Sequence, residues 1–221
     1  MKDLILYIHG THGCAGESAR FRPLFPGSEV LGLDYRTFTP WETGNEIREA
    51  VEGLRGSFES VSLIANSIGA YFSMSAGIGG MLRRAWFISP IVDMEQLIRD
   101  GMDRAGVTEE ELEAKRVIPT PFGEDLSWAY LAYVRAHPLR WEVPTEILYG
   151  GKDGLTSYET VRTFAETHGA GLTVMEDGEH WFHTEEQTRF LDGWIRRTLA
   201  ARDRSAHGER TGPAPAGALF G

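Results

Sequence analysis

Three polar side chains in this chain, Ser67, Asp153 and His180, could together carry out nucleophilic catalysis. A serine hydroxyl attacks a carbonyl carbon efficiently only when a base removes its proton, and a carboxylate commonly orients that base. Histidine is the usual base and aspartate the usual carboxylate. The chemistry that these residue types predict is acyl transfer through a covalent acyl-enzyme.

The serine lies in the pentapeptide ANSIG (65–69), which fits a small-x-Ser-x-Gly pattern. That pattern is a weak signal by itself, because SMSAG (73–77) fits it as well. Ser67 directly follows an apolar run and opens a stretch rich in small residues, whereas Ser75 lies inside that stretch. Only Ser67 therefore has the strand–turn–helix setting that exposes a nucleophile.

Steric demands explain why the residues beside such a serine are small. The turn holds the serine in an unfavourable backbone conformation and brings the strand close to the following helix. Gly69 meets this demand fully, while Ala65 adds one methyl group. The alternative interpretation is that Ser67 is an ordinary helix N-cap.

The elements that must position these residues are six short apolar runs separated by amphipathic segments. Most of the runs are continuously apolar, as in strands covered on both faces. The pattern predicts an α/β fold, a doubly wound and mostly parallel six-stranded sheet. The runs are LILYIH (4–9), VLGLD (30–34), VSLIA (61–65), AWFIS (85–89), EILYG (146–150) and LTVME (172–176).

The loops after these strands are predicted to bring the three side chains together. Ser67 follows the third strand, Asp153 the fifth and His180 the sixth. The carboxyl ends of parallel strands share one edge of the sheet, where ligands of such folds bind. Asp93, which follows the fourth strand, is the alternative acid.

A segment of about 50 residues, from 92 to 144, interrupts the rhythm between the fourth and fifth strands. It is too long for a plain crossover, contains helical pieces and is rich in aromatic residues, so we expect a small helical cap. A single domain is predicted over 1–204, closed by a long helix whose start, Thr184 with Gln187, resembles a capping box. The Pro-, Gly- and Ala-rich end, 205–221, is predicted to be a flexible tail.

Four segments in this order resemble the α/β-hydrolase superfamily: LYIHGTHG, GLDYRTF, GGKDGLTS and GEHWFH, within about Leu4 to Ala200. The order Ser67, Asp153, His180 is also the order of the triad in that family. The glycines that usually follow the Asp-Tyr-Arg segment are absent here. The resemblance implies a small, esterase-like serine hydrolase that cleaves small carboxylic esters or thioesters.

The same resemblance implies an oxyanion hole made by the backbone N–H groups of Thr11 and Ile68, with His12 as the alternative to Thr11. Such donors stabilise the negative charge that develops on the carbonyl oxygen. Because a fold does not fix a function, the alternative is a catalytically silent protein of this fold that binds a small molecule or a partner.

Composition narrows the function classes further. The net charge of −10 and the scattered basic residues argue against nucleic-acid binding, so a small-molecule carbonyl substrate is expected. No run approaches the length of a membrane span. The single cysteine, Cys14, excludes an intrachain disulfide and favours the cytoplasm. No cofactor and no metal are predicted, since neither His-x-x-His segment belongs to an H-E-x-x-H helix; the sequence gives no oligomeric state.

Overall fold

The structure, a computed structural model, describes residues 1–208 and the side chains of residues 1–200. Six strands form one sheet in the order β2-β1-β3-β4-β7-β8, and every neighbouring pair is parallel. All six predicted strands are present, so the predicted fold class is confirmed. They are β1 (Leu4–Ile8), β2 (Glu29–Leu33), β3 (Val61–Asn66), β4 (Ala85–Ile88), β7 (Thr145–Gly150) and β8 (Gly171–Met175).

Seven α-helices connect or flank these strands within the described residues. Two 3-10 helices, Ala15–Leu24 and Gly79–Met81, lie in the connections as well. The α-helices are α1 (Pro40–Leu54), α2 (Ile68–Ser75), α3 (Met94–Ala105), α4 (Glu109–Lys115), α5 (Trp128–Ala136), α6 (Tyr158–His168) and α7 (Glu185–Gly208).

The continuous apolar character of the strands has a direct cause, because both faces of the sheet are covered. Along β1, Leu4, Leu6 and Ile8 belong to one buried cluster, and Ile5 and Tyr7 belong to another. Successive side chains of a strand point to opposite faces. The first cluster includes residues of α1, α2 and α6, and the second includes residues of α7.

The start of α7 differs in one detail from the predicted capping box. Thr184 Oγ1 accepts a hydrogen bond from the Gln187 N–H at 3.2 Å, as expected. The Gln187 side chain accepts from the N–H of His183 at 3.0 Å instead of from that of Thr184. The helix continues to Gly208, so residues 205–208 belong to α7 and not to the flexible tail predicted over 205–221. The rest of that predicted tail, from 209, lies outside the described residues. No helix in the described part of the chain is both long and apolar enough to cross a membrane.

The segment between β4 and β7 contains α3, α4 and α5 and also a feature that was not predicted. Two short antiparallel strands, β5 (Val117–Ile118) and β6 (Leu126–Ser127), form a separate ribbon. The insert (residues 92–144) has a small core of its own, in which Met102, Leu112 and Leu131 are buried. It is therefore a helical layer with a β-ribbon, rather than helices alone.

Two contacts fix the helices of the insert. Arg135 of α5 pairs with Glu95 of α3 at 2.9 Å and with Glu109 of α4 at 2.5 Å. Trp41 of α1 packs against Tyr133 of α5, with ring centroids 5.1 Å apart. The first contact joins the three helices to one another, and the second joins α5 to the helical layer beside the sheet.

Candidate active site

Ser67 occupies the turn between β3 and α2, in a conformation that L-residues rarely adopt. Its φ is 53° and its ψ is −124°. A positive φ costs on the order of 1 kcal/mol for a residue with a Cβ, and it persists where surrounding contacts compensate. The Ser67 N–H donates to the Ile88 carbonyl at 2.9 Å, and the Ser67 carbonyl accepts from Ile91 N–H at 3.1 Å. These bonds to the end of β4 hold the turn.

The hydroxyl of Ser67 does not cap α2, so the N-cap interpretation is wrong for this side chain. Instead, Ser67 Oγ lies 2.8 Å from His180 Nε2. Ser75 lies at the end of α2, where its hydroxyl donates to the Phe72 carbonyl at 3.1 Å. The structure thus separates the two serines that share the small-x-Ser-x-Gly pattern.

Asp153 and His180 form the second link of a continuous hydrogen-bonded chain. His180 Nδ1 lies 2.7 Å from Asp153 Oδ2, and the carboxylate of Asp153 is fully buried. Its other oxygen accepts from the N–H groups of Leu155 at 2.8 Å and Thr156 at 3.4 Å. Backbone donors and the imidazole therefore satisfy a buried carboxylate that would otherwise be costly.

The loop that carries His180 is anchored by the residue two positions later. Phe182 is buried in the core on the α7 side of the sheet and has a φ of 44°. The sequence marks this aromatic residue only as a neighbour of the histidine. Its burial fixes the loop between β8 and α7, and thereby the position of the imidazole.

Asp93, the alternative acid, has a different partner. Its Oδ1 accepts the N–H of Gln96 at 2.9 Å, which makes it the N-cap of α3. The structure brings Asp153, and not Asp93, into contact with His180.

The loop after β1 packs directly against the serine turn. A Cβ added to Gly10 would lie 3.0 Å from Ser67 Cβ, so a side chain there would push the loop and the serine turn a few tenths of an ångström apart. Gly13 N–H bonds to the Gly10 carbonyl at 3.1 Å and closes the turn. The buried ring of His9 supports it from below, with Nδ1 2.8 Å from the Gly10 carbonyl oxygen and the ring stacked on Tyr35.

The two residues predicted to supply the oxyanion hole, Thr11 and Ile68, are both found at the cavity beside Ser67. Ile68 is the first residue of α2, so its N–H has no partner within the helix. The N–H of Thr11 donates to no other group of the described chain. Both residues line one cavity together with Ser67 and His12. His12 has a φ of 61° and is exposed at the tip of the turn.

A pair that the sequence did not single out supports this loop from its far side. The hydroxyl of Tyr7 in β1 donates a hydrogen bond to Glu17 Oε2, in the 3-10 helix that follows the loop, with an oxygen–oxygen distance of 2.5 Å. Burial, and then the bond to the Glu17 carboxylate, raise the pKa of the Tyr7 hydroxyl. In the sequence Tyr7 is indistinguishable from any other core position of an apolar strand, so no local signal could have identified it.

A cavity of about 570 Å³ adjoins Ser67, and most of its wall comes from the insert. Of the aromatic residues in the insert, Phe122 and Tyr130 line it, whereas Trp141 packs in the main core. The described residues that line the cavity are Thr11, His12, Phe38, Ser67, Ile68, Ile91, Met94, Leu97, Ile98, Gly101, Arg104, Phe122, Glu124, Asp125, Leu126, Ser127, Tyr130 and Leu155.

Comparison with known proteins shows similarity in structure and not in sequence. No protein-family model matches the chain, and no curated protein sequence matches it. Est1E from Butyrivibrio proteoclasticus is similar with a TM-score of 0.76 at 14% identity, over 92% of this chain and 89% of that one. Mouse α/β hydrolase domain-containing protein 10 is similar with a TM-score of 0.65 at 15% identity, over 90% of each chain.

A third similar structure is an esterase of Pyrococcus furiosus, with a TM-score of 0.62 at 20% identity, over 92% of this chain and 81% of that one. These three similarities extend over 90–92% of this chain. Together with the parallel sheet and the order of its strands, they show that this chain has the α/β-hydrolase fold.

Proposed function

We propose that the protein is a serine hydrolase that cleaves small carboxylic esters or thioesters through an acyl-enzyme. One observation carries this proposal: an uninterrupted chain of hydrogen bonds from Ser67 through His180 to a buried Asp153, at 2.8 and 2.7 Å. The strained backbone of Ser67 also supports it, because strain of this kind concentrates at functional sites.

In the proposed mechanism, His180 Nε2 takes the hydroxyl proton as Ser67 Oγ forms a bond to the carbonyl carbon of the substrate. Asp153 keeps the Nδ1 proton on the imidazole and stabilises its positive charge. The tetrahedral intermediate collapses as the carbon–oxygen or carbon–sulfur bond breaks, and His180 gives its proton to the leaving alcohol or thiol. Water, deprotonated by the same imidazole, then attacks the acyl-enzyme and releases a carboxylic acid and free Ser67.

The oxyanion of both tetrahedral intermediates needs donors that are already in place. We assign this role to the N–H groups of Ile68 and Thr11, because both residues line the cavity together with Ser67 and the Ile68 N–H has no partner within α2. Each such donor contributes about 3 kcal/mol of transition-state stabilisation. Thr11 is preferred to His12 because it lies one residue nearer to Gly10, which contacts the serine turn.

The similar structures support an ester as the substrate in a general way. The P. furiosus protein is called an esterase, and Est1E is known with ferulic acid, a carboxylic acid, bound. The low identities carry no information on which acid or alcohol this chain accepts. Thioesters meet the same chemical requirement, a carbonyl carbon with a leaving group.

The alternative function is binding of a small molecule or partner without turnover. A silent member of the fold would have its three side chains out of hydrogen-bonding range, or an insert that fills the space above the serine. Here the hydrogen bonds are present and the cavity beside Ser67 is open. These observations support turnover over binding alone.

The single cysteine, Cys14, is the basis for proposing a reducing, cytoplasmic location.

The test uses two measurements on the purified protein. A fluorophosphonate probe is expected to label wild-type protein covalently and to leave Ser67→Ala unlabelled. Hydrolysis of p-nitrophenyl acetate is expected to depend on Ser67 in the same way. A folded wild-type protein that neither reacts with the probe nor turns over any ester of an acyl series would refute the proposal and favour the binding function.

A further inference from the structure

One face of α3 forms a continuous wall of the cavity beside Ser67. The residues that α3 contributes are Met94, Leu97, Ile98, Gly101 and Arg104. Their spacing of three and four residues places them on a single stripe of the helix. Leu97 and Ile98 are only half-buried, so part of their apolar surface remains available on this wall. Apolar surface held open inside a concave wall is what a ligand pocket offers.

The stripe begins at the nucleophile and leads away from it. Ile91, three residues before α3, donates its N–H to the carbonyl of Ser67 at 3.1 Å and lines the cavity. Met94 is therefore near the serine and Arg104 is at the far end. Since a helix rises about 1.5 Å per residue, Met94 and Gly101 are about 10 Å apart along the axis. The α3 residues that line the cavity between them are apolar, and the charged lining residue that α3 contributes is Arg104. Glu124 and Asp125, just before β6, also line the cavity.

The position of His180 decides which part of a substrate this wall receives. The leaving group must lie next to His180 Nε2, because it takes its proton from that atom. Neither His180 nor Asp153 is among the described residues that line the cavity. The described lining includes residues of the insert, Thr11 and His12, and Leu155 of the loop that holds Asp153, but not the imidazole itself, so we assign this cavity to the acyl group of the substrate and not to the leaving group.

We propose that α3 forms the wall along which the acyl chain of the substrate binds, and that Gly101 limits the length of the acyl chain that the cavity accepts. An extended acyl chain of roughly eight carbons, at about 1.3 Å of length per bond, matches the wall from Met94 to Gly101. The substrate class is thus esters or thioesters of medium-length, uncharged aliphatic acids. This role rests on the serine hydrolase function proposed for Ser67.

Gly101 has a structural reason to be small at this place. Glycine inside a helix is unfavourable relative to alanine, so its presence in the interior of α3 calls for a compensating reason. A Cβ added at Gly101 would meet Leu126 Cδ2 at 3.3 Å, and Leu126 is also a cavity residue. A longer side chain at Gly101 would therefore close the cavity between α3 and the β5–β6 ribbon.

The experiment compares kcat/KM for p-nitrophenyl esters from acetate to dodecanoate in wild type, Gly101→Leu and Gly101→Ala. Each buried methylene is worth up to about fourfold in kcat/KM, so octanoate is expected to exceed acetate by about tenfold or more in the wild type. Gly101→Leu is expected to reduce the octanoate-to-acetate ratio about tenfold, and Gly101→Ala about threefold. The smaller variant keeps the test decisive if Gly101→Leu does not fold.

The matched control is Gly53→Leu in α1, where a Cβ would meet nothing within 4 Å. Its octanoate-to-acetate ratio is expected to equal that of the wild type. An unchanged ratio in both Gly101 variants, or a wild type that prefers acetate, would overturn the assignment. So would acetate esters of longer alcohols that respond to Gly101 while the acyl series does not, because the cavity would then hold the leaving group.

These outcomes are distinct from failure of the hydrolase function itself. If wild-type protein shows no Ser67-dependent labelling by a small fluorophosphonate, the nucleophile is wrong and the acyl assignment falls with it. If labelling depends on Ser67 but chain length does not matter, only the role of α3 and Gly101 is wrong.

Discussion

Gly69 lies so close to His9 that no side chain fits between them. A Cβ built on Gly69 would be 2.4 Å from the carbonyl oxygen of His9 and 2.7 Å from that of Ile8. Both obstacles are backbone atoms at the end of β1, which cannot move without moving the strand. The glycine that follows Ser67 by two residues is thus required by the packing of α2 on the sheet.

Gly69→Ala is therefore expected to lower the free energy of unfolding by about 2–3 kcal/mol, as overpacking of a well-packed core does. Chemical denaturation of the purified variant measures this. The control is Gly53→Ala, a helical glycine with open space at its Cβ, which is expected to be neutral or stabilising by up to about 1 kcal/mol. Equal effects at the two glycines would show that the close contact with His9 is not real.

Replacement of Ser67 by alanine is expected to reduce kcat for ester hydrolysis by about 10⁴-fold or more, as loss of a triad serine does. Thermal unfolding should change little, because the hydroxyl makes no capping bond. Ser75→Ala, which removes the other serine of the same pattern, is expected to retain wild-type kcat. Loss of activity in Ser75→Ala with retention in Ser67→Ala would reverse the assignment of the nucleophile.

Asp153→Asn is expected to lower kcat by about 10³–10⁴-fold with a small change in KM, because the amide no longer holds His180 in the required tautomer. Asp93→Asn is the matched change at the alternative acid. Asparagine is as good an N-cap as aspartate, so the capped start of α3 and the activity should both persist. A larger loss in Asp93→Asn than in Asp153→Asn would contradict the geometry.

Arg135→Gln is expected to loosen the insert, because Arg135 of α5 pairs with a carboxylate of α3 and with one of α4. A decrease in Tm of about 2 °C at pH 7 is expected. Arg162→Gln provides the control, since Arg162 pairs with Glu159 and Glu166 of its own helix. A similar decrease in both variants would mean that the link between helices adds nothing.

The same link predicts a dependence on pH. The hydrogen bond from Arg135 holds the pKa of Glu95 below its ordinary value. A carboxyl whose pKa is lowered on folding contributes stability above its unfolded pKa, about 4.3, and this contribution is lost as the pH falls through the folded pKa. The Tm difference between wild type and Arg135→Gln should therefore shrink as the pH is lowered from 6 to 3. A constant difference over that range would exclude this origin.

The sequence was sufficient to predict the sheet and the proximity of Ser67, Asp153 and His180, because the relevant signals are local. Each buried strand is a continuous apolar run, and each of Ser67, Asp153 and His180 follows such a run. The parallel arrangement then brings their loops to one edge. The apolar strand before Ser67 and the small residue Gly69 after it also indicated that Ser67, and not Ser75, occupies the turn between a strand and a helix.

Other features depend on partners that are distant in the sequence, and no local pattern indicates them. Trp41 packs against Tyr133, which lies in a different layer of the fold. The ribbon of β5 and β6 has two residues in each strand, too few for a periodic signal. Which insert residues line the cavity depends on how the insert folds as a whole. Phe122, which lines the cavity, and Trp141, which packs in the main core, were therefore not distinguishable in advance.

The insert leaves the sheet at β4 and returns at β7, and these two strands are neighbours. The segment that walls the cavity thus begins and ends at adjacent points, while Ser67, Asp153 and His180 lie outside it. In the proposed mechanism, bond breaking and substrate choice would therefore be carried by separate parts of the chain. A different insert between the same two strands would then change which substrates the protein accepts. The hydrogen-bonded chain of Ser67, His180 and Asp153 would stay in place.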